Sequence, residues 1–388
     1  MQNKRAKSLR GRILKICVTS SGLFEKYNRC SKMFQEQFKY YKAKNPAPDL
    51  SDLIRPPSSA DSAEVLDVRL KDISSTFKMK ETNFPGLISS KNWQIFELSN
   101  RPGLIIISNP FTVCAQRYWM YRSVADYSKH PNRTNLPQNF IDKYSSYSPN
   151  SLPGESGTSP FDWWEVTQAI EDPQERVKAQ KALRWTTLGY HYDWDNKVYE
   201  EAARDEFPSD LGRLCCHFAR ALGFLDFRAE AAIVNYYPIG STLAGHTDHS
   251  EKNLDAPLFS FSFGQSAIFL IGGPTKDERP DALLLRSGDV VVMTRASRLC
   301  YHAVPRVFHL HESTAERWEP ATEPEEDCGS AAESNYGISS AVWNNCRPQQ
   351  RETGGVVDGW WNAIADYIGN SRININIRQV LNEGENHL

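Results

Sequence analysis

A succession of short strand-like segments between residues 232 and 293 constrains this chain more than any other feature. The stretches 232–237, 258–263, 267–271, 283–285 and 290–293 are apolar or alternating, and Gly272-Gly273-Pro274 and Ser287-Gly288-Asp289 punctuate them. Many short strands separated by tight turns close into a sandwich or barrel. Helical periodicity precedes them at 208–223, where Leu211, Leu214, Cys215, Phe218, Ala219 and Leu222 recur every three or four residues. A mainly β, α+β architecture is therefore expected, with helices covering one sheet.

Around this core the chain divides by composition. The segment 102–110 is a β-branched run between turn formers and reads as the first strand of the globular part, so folded structure is expected to start near Asn83. Residues 1–82 read as a basic extension, helical or disordered, ending in a Pro/Ser-rich linker over 45–72. Its first fifteen residues carry Lys4, Arg5, Lys7, Arg10, Arg12 and Lys15, with no acid before Glu25. That pattern suits a mitochondrial targeting segment, a nuclear signal or a tail touching RNA or chromatin. The expected locations are thus mitochondrion or nucleus, with the cytoplasm as an alternative. Residues 83–388 read as one domain: a hairpin lid at about 180–206, a core at about 228–310 and 356–382, and an insertion loop at about 311–355 with an acidic run at 322–327.

Composition excludes several classes. No run of eighteen apolar residues occurs, so no bilayer-spanning helix is expected. The eight cysteines contain no C-x-x-C pair, which indicates neither a zinc site nor a secreted disulfide framework and favours a reducing compartment. A formal net charge of −2 argues against coating nucleic acid through overall charge but leaves room for a local basic patch. The chain is expected to act as a monomer.

Three H-x-[DE] pairs occur, at His191/Asp193, His246/Asp248 and His249/Glu251. The second has the best context, because residues two apart on a strand point the same way and could offer two ligands to the interior of a barrel. His302, downstream of the Gly288-Asp289 turn, could return on a facing strand as the third. Two histidines and a carboxylate on one face make the facial triad of non-haem iron(II) oxygenases. The competing reading of His302 is a buried, hydrogen-bonded core histidine.

Residues 371–378 alternate without a break, with Ile373, Ile375 and Ile377 on one face and Arg372, Asn374, Asn376 and Arg378 on the other. Two arginines reaching inward from one strand suit a small dicarboxylate, since the guanidinium fork pairs with carboxylates bidentately. The alternative is a solvated polar face on an edge strand. Asn235 and Tyr237 also share a strand face and could hydrogen-bond the same co-substrate.

These residues resemble the AlkB family of nucleic-acid dealkylating dioxygenases, through Asn235-Tyr236-Tyr237-Pro238, His246-Thr247-Asp248, His302 and Arg372 to Arg378. The likeness is closest to the first animal branch of that family, in Phe207-Pro208-Ser209-Asp210-Leu211, in Ser260-Phe261-Ser262-Phe263-Gly264-Gln265-Ser266 and in His302-Ala303-Val304-Pro305-Arg306. The resemblance implies a double-stranded β-helix, or jelly-roll, with Fe(II) on His246, Asp248 and His302. It implies 2-oxoglutarate on Asn235, Tyr237, Arg372, Asn374 and Arg378, with O2 as oxidant. The implied reaction hydroxylates a methyl group on a base and releases formaldehyde, succinate and CO2.

The aromatic segment 183–194 is similar to the family's nucleotide-recognition lid, and Trp185, Tyr190 and Tyr192 match positions that contact an extruded nucleotide. Packing within the hairpin is the alternative. On this reading His191 and Asp193 sit on the lid, away from the metal. Lys276 matches a basic substrate-contacting position, and Arg298 and Arg306 flank the third ligand where phosphate could approach. Ser250 departs from the family: bacterial members carry an acid there, so base preference does not carry across. The resemblance implies tRNA as substrate, through 1-methyladenine demethylation and 5-methylcytosine oxidation, with N6-methyladenine in DNA as a further candidate. The same iron chemistry on a protein such as histone, and a non-enzymatic RNA-binding module, are the competing hypotheses.

Overall fold

The computed structural model describes residues 32–57, 69–74, 83–147, 161–308, 336–346 and 359–388. Among them fourteen strands occur: β1 (Leu70–Asp72), β2 (Gln94–Leu98), β3 (Leu104–Ser108), β4 (Arg133–Thr134), β5 (Trp185–Asp193), β6 (Val198–Arg204), β7 (Ala231–Pro238), β8 (Leu243–His246), β9 (Leu258–Gly264), β10 (Ala267–Ile271), β11 (Asp281–Leu285), β12 (Val290–Met293), β13 (His302–Val307) and β14 (Ser371–Arg378). The larger sheet runs β1-β2-β3-β12-β9-β14-β7-β5-β4, with β6 hairpinned onto β5, and the smaller runs β11-β10-β13-β8. From β7 onward the chain passes back and forth between the sheets, and this interleaving is the jelly-roll.

The strict alternation of β14 decides how the sheets pack. Ile373, Ile375 and Ile377 join Phe259, Phe261 and Phe263 of β9 in the principal core, with Leu214 and Phe218 of helix Ser209–Ala221 and Ile364 and Ile368 of helix Gly359–Gly369. The opposite face of the larger sheet buries Leu104, Ile106, Leu258, Val291 and Met293 against Phe269, Ile271, Leu283 and Leu285 of the smaller sheet. Arg372, Asn374 and Arg378 therefore project between the two sheets. The edge-strand alternative fails, because β14 is flanked by β7 and β9 and all its residues except Asn376 are buried.

Several boundaries differ from the sequence expectation. The segment 102–110 holds β3, the third strand of the described residues, paired with β2 and β12. Folded structure begins well before Asn83: helix Met33–Lys42 buries Phe34 and Tyr41 in a cluster with Ile268 and Leu270 of the smaller sheet. Part of the supposed linker joins them, since Leu53 lies in that cluster and Ile54 bridges Leu283. Within the expected insertion loop, helix Ser340–Cys346 places Trp343 against Tyr118, ring centroids 5.5 Å apart. The basic amino terminus, 58–68 and the rest of 311–355 lie outside the described residues. Among the described cysteines Cys114 is disulfide-bonded, a departure from the reading of reduced thiols, whereas Cys215, Cys216, Cys300 and Cys346 are free. No described helix is long and apolar enough to cross a membrane.

Candidate metal centre and its cleft

β8 ends at His246, β13 opens with His302, and the two are cross-strand partners. Their rings stand 4.3 Å apart. Asp248 lies just past the end of β8 rather than on it, yet its Oδ1 is 3.9 Å from His246 Nε2 and its Oδ2 is 3.9 Å from His302 Nε2. One ligand atom from each of the three residues falls within 4.8 Å of the others. The other ring nitrogens are already engaged, His246 Nδ1 with Ala244 O at 3.0 Å and His302 Nδ1 with Cys300 O at 3.1 Å. A carbonyl only accepts, so each Nδ1 carries the proton and each Nε2 presents a lone pair to the cluster. Burial, with the neighbouring His246, pushes His302 down to about 4, so its imidazole is neutral at pH 7. Burial opposes the charge on Asp248, but Arg378, His302 and His246 override it and hold the carboxyl well below its ordinary value.

A buried ion-pair chain fixes that aspartate. Arg378 Nη2 donates to Asp248 Oδ2 at 2.6 Å, and Arg378 Nε lies 3.2 Å from Glu251 Oε1. Glu251 Oε2 in turn accepts from Arg298 Nη2 at 3.1 Å, while Arg298 Nη1 donates to Asp248 O at 2.7 Å. This corrects the reading of Arg298 as a phosphate contact: it is buried and committed to the loop that carries the ligand. Arg306 is likewise spoken for, donating to Ala43 O at the end of helix Met33–Lys42. Glu251 belongs to the third H-x-E pair, and only its placement between two arginines reveals its part in the site.

Deeper between the sheets, Arg372 and Tyr237 are register partners on β14 and β7. Arg372 Nη2 donates to Ser262 Oγ at 2.7 Å, but Arg372 Nε and Nη1 and the Tyr237 hydroxyl are buried without a hydrogen-bond partner among the described residues. Burial brings the Arg372 guanidinium down to about 10. Buried polar groups are nearly always satisfied, and buried charges paired. Two guanidinium donors and a phenol left open together are what a carboxylate completes, so these residues fit one end of 2-oxoglutarate. Asn374 is partly committed, donating to Ser260 Oγ at 2.9 Å and Phe261 O at 3.0 Å. Asn235 pairs with it in register and reaches the cleft.

Two of the candidate ligands, His246 and Asp248, line a cleft of about 520 Å³ walled by Tyr192, Trp194, Tyr301, Lys197 and Lys276, with the third, His302, buried behind them. The β5–β6 hairpin forms one wall, where Trp194, 46% exposed, touches Trp185 at 5.4 Å and Tyr192 at 4.8 Å. Tyr192 and Ser250 share a hydrogen bond of 3.0 Å. Lys276 sits over the Tyr301 ring at 5.0 Å. Tyr190 does not reach the cleft: it is buried beside Val380 and Leu381, donates to Glu201 Oε2 at 2.6 Å and lies under Arg204. Tyr192 packs against the same cluster but also lines the cleft. His191 is bound to Thr187 and Asp205, both at 2.7 Å, and Asp193 closes the hairpin turn, so the first H-x-D pair lies apart from the cluster. The sequence reading gave no role to Lys197, Tyr301 or Glu251 and named Trp194 only as part of the aromatic segment; the four-residue turn Trp194-Asp195-Asn196-Lys197 beside Tyr192, aromatic at one end and cationic at the other, was the available signal for Trp194 and Lys197.

Residues 155–378 match the model of the 2OG-Fe(II) oxygenase superfamily. The human protein named nucleic acid dioxygenase ALKBH1 is 38% identical over 306 residues, covering 78% of this chain and 70% of that protein. The chain belongs to the AlkB family of 2OG-Fe(II) oxygenases. An Arabidopsis thaliana relative, named DNA N(6)-methyladenine demethylase ALKBH1A, is 33% identical over 342 residues, covering 84% of this chain and 88% of that protein. A Schizosaccharomyces pombe relative, named tRNA demethylase abh1, is 48% identical over 130 residues, covering 33% of this chain and 43% of its own length. This AlkB-family enzyme is thus an iron- and 2-oxoglutarate-dependent oxidoreductase with a jelly-roll core.

Proposed function

We propose that this dioxygenase demethylates nucleic acid, with methylated tRNA as its favoured substrate: 1-methyladenine by demethylation and 5-methylcytosine by oxidation, with N6-methyladenine in DNA as a further substrate. The observation that carries the reading is the cleft over the His246–Asp248–His302 cluster, where aromatic faces and two lysines converge. A flat π-face suits a base turned out of its stack, and a rim cation suits the phosphate beside it. The names of the human and fission yeast relatives support the substrate class.

In this reading His246, Asp248 and His302 would hold iron, and Arg372 with Tyr237 would take one carboxylate of 2-oxoglutarate. When bound, iron and 2-oxoglutarate would supply, with O2 as oxidant, oxidative decarboxylation coupled to hydroxylation of the methyl carbon, releasing succinate and CO2, and then formaldehyde where that methyl sits on a nitrogen. The chain's own residues prepare that chemistry. The two Nδ1–H groups fix the tautomers, Arg378 keeps Asp248 ionised and oriented, and the Tyr192–Ser250 pair offers a neutral donor and acceptor to the base.

The test is formaldehyde and succinate release with iron, 2-oxoglutarate and a panel of methylated tRNA and DNA, comparing His246→Ala and Asp193→Asn with wild type. Expected is turnover on tRNA that His246→Ala abolishes and Asp193→Asn retains. Consumption of 2-oxoglutarate with neither demethylation nor methyl oxidation of any nucleic acid overturns the substrate class and moves the search to protein.

A further inference from the structure

Phe34, from the amino-terminal helix, is seated on two glycines that border the metal centre. A Cβ on Gly245 would lie 2.6 Å from Phe34 Cε1, and one on Gly272 would lie 2.8 Å from Phe34 Cδ2. Neither glycine has a positive φ, so their backbone does not demand glycine; the aromatic ring does. Gly245 directly precedes His246, while Gly272 follows Ile271, the register partner of His302, and donates to Tyr301 O at 2.8 Å. The backbone is tied in as well, since Phe34 N donates to Lys276 O at 3.2 Å.

We propose that Phe34 is a positioning residue for the metal centre: its ring, wedged onto Gly245 and Gly272, sets the spacing between the end of β8 that carries His246 and the β10–β13 end that carries His302. The inference rests on the reading of these histidines as metal ligands. Two histidines on separate strands can close on one ion only if the strand ends keep their separation, and no covalent link between the strands does this. The β8–β13 hydrogen bonds pair the strands with a register shift between His302 and Val304, and a ring filling the space that two side chains would otherwise occupy holds the strand ends in place by packing, because packed interiors transmit displacement instead of absorbing it.

An ordinary core phenylalanine would lose stability on truncation and leave metal binding alone, so metal affinity is the deciding readout. The experiment titrates Mn(II) into the full-length apoprotein by calorimetry, with thermal unfolding alongside. It compares Phe34→Leu, Gly272→Ala, the double variant, Tyr41→Leu and His246→Ala. Tyr41 is the control, buried in the same cluster but lying near Asp52 and Arg279. Phe34→Leu and Gly272→Ala are each expected to weaken Mn(II) binding by about tenfold, the scale of supporting contacts around a metal. In the double variant the smaller side chain makes room for the new methyl, so the loss is smaller than the product of the two. Tyr41→Leu lowers the melting temperature and keeps Mn(II) affinity within about twofold. Wild-type Mn(II) affinity in both Phe34→Leu and Gly272→Ala, or losses that simply multiply, overturns the wedge. Wild-type affinity in His246→Ala overturns the ligand reading itself, a result distinct from failure of the wedge alone.

Discussion

Arg372 holds its charge in a place that should reject it. It is 2% exposed and, among the described residues, has a hydrogen bond to Ser262 and leaves Nε and Nη1 without partners. An uncompensated buried cation destabilises a fold by several kcal/mol, so the residue is a liability in the apoprotein that its ligand relieves. Arg372→Met is therefore expected to leave the apoprotein's melting temperature equal or higher, and to abolish the rise that 2-oxoglutarate produces in wild type. A lower apo melting temperature with an intact 2-oxoglutarate shift would mean that the open donors serve the fold and not the co-substrate. Alternation in residues 371–378 made both arginines legible, but not their division of labour. Their sequence environments are alike, and only the return of the chain past β8 brings Asp248 and Glu251 to Arg378 while Arg372 meets Tyr237.

At the scale of elements, the sequence was most readable where one period dominated. β10 and β12 fall on the expected 267–271 and 290–293 because buried apolar runs were bounded by turn formers. Helix Met33–Lys42 falls in the extension expected to be helical or disordered, but its docking through Phe34, Phe38 and Tyr41 onto the smaller sheet was not foreseen, because the surrounding basic, Pro- and Ser-rich stretch suggested a segment outside the globular part. The helix expected at 208–223 was found at Ser209–Ala221, but the character of His217 on its buried face was not foreseen. Its Nε2 is buried against Phe84 and Trp93 without a partner among the described residues, and burial, with nearby Arg220, pushes the imidazole down to about 4 from 6.5. The unfolded chain then binds the extra proton first as pH falls, so stability is retained above about 6.5 and lost towards 4. Between pH 7 and 5 this one group should remove about 2 kcal/mol. Urea unfolding of His217→Phe should show a flatter acid limb over that interval; an unchanged acid limb would place the sensitivity elsewhere.

For the molecule as a whole, the interleaving of the two sheets joins residues 246 and 302 in one cluster, and it leaves the smaller sheet's rim and the β5–β6 hairpin as the walls of the cleft. Net charge adds a second constraint. At −2 the chain as a whole does not draw in a polyanion, so phosphate binding must be local. Lys197 and Lys276 are the exposed cations that line the cleft, one from the hairpin and one from the segment after β10. If each neutralises one phosphate, removing it releases one fewer counterion on binding. Lys197→Gln and Lys276→Gln should each reduce the slope of log affinity against log salt by about 1 for tRNA, measured by fluorescence anisotropy between about 50 and 200 mM salt. Lys178, exposed on helix Pro173–Ala182 and absent from the cleft lining, is the matched control and should leave the slope unchanged. Slopes that fall equally in all three variants would show that the polyanion responds to overall charge and not to the cleft. A fall confined to the first two would mean that this weakly acidic protein meets its substrate through the same opening that leads to His246, Asp248 and His302.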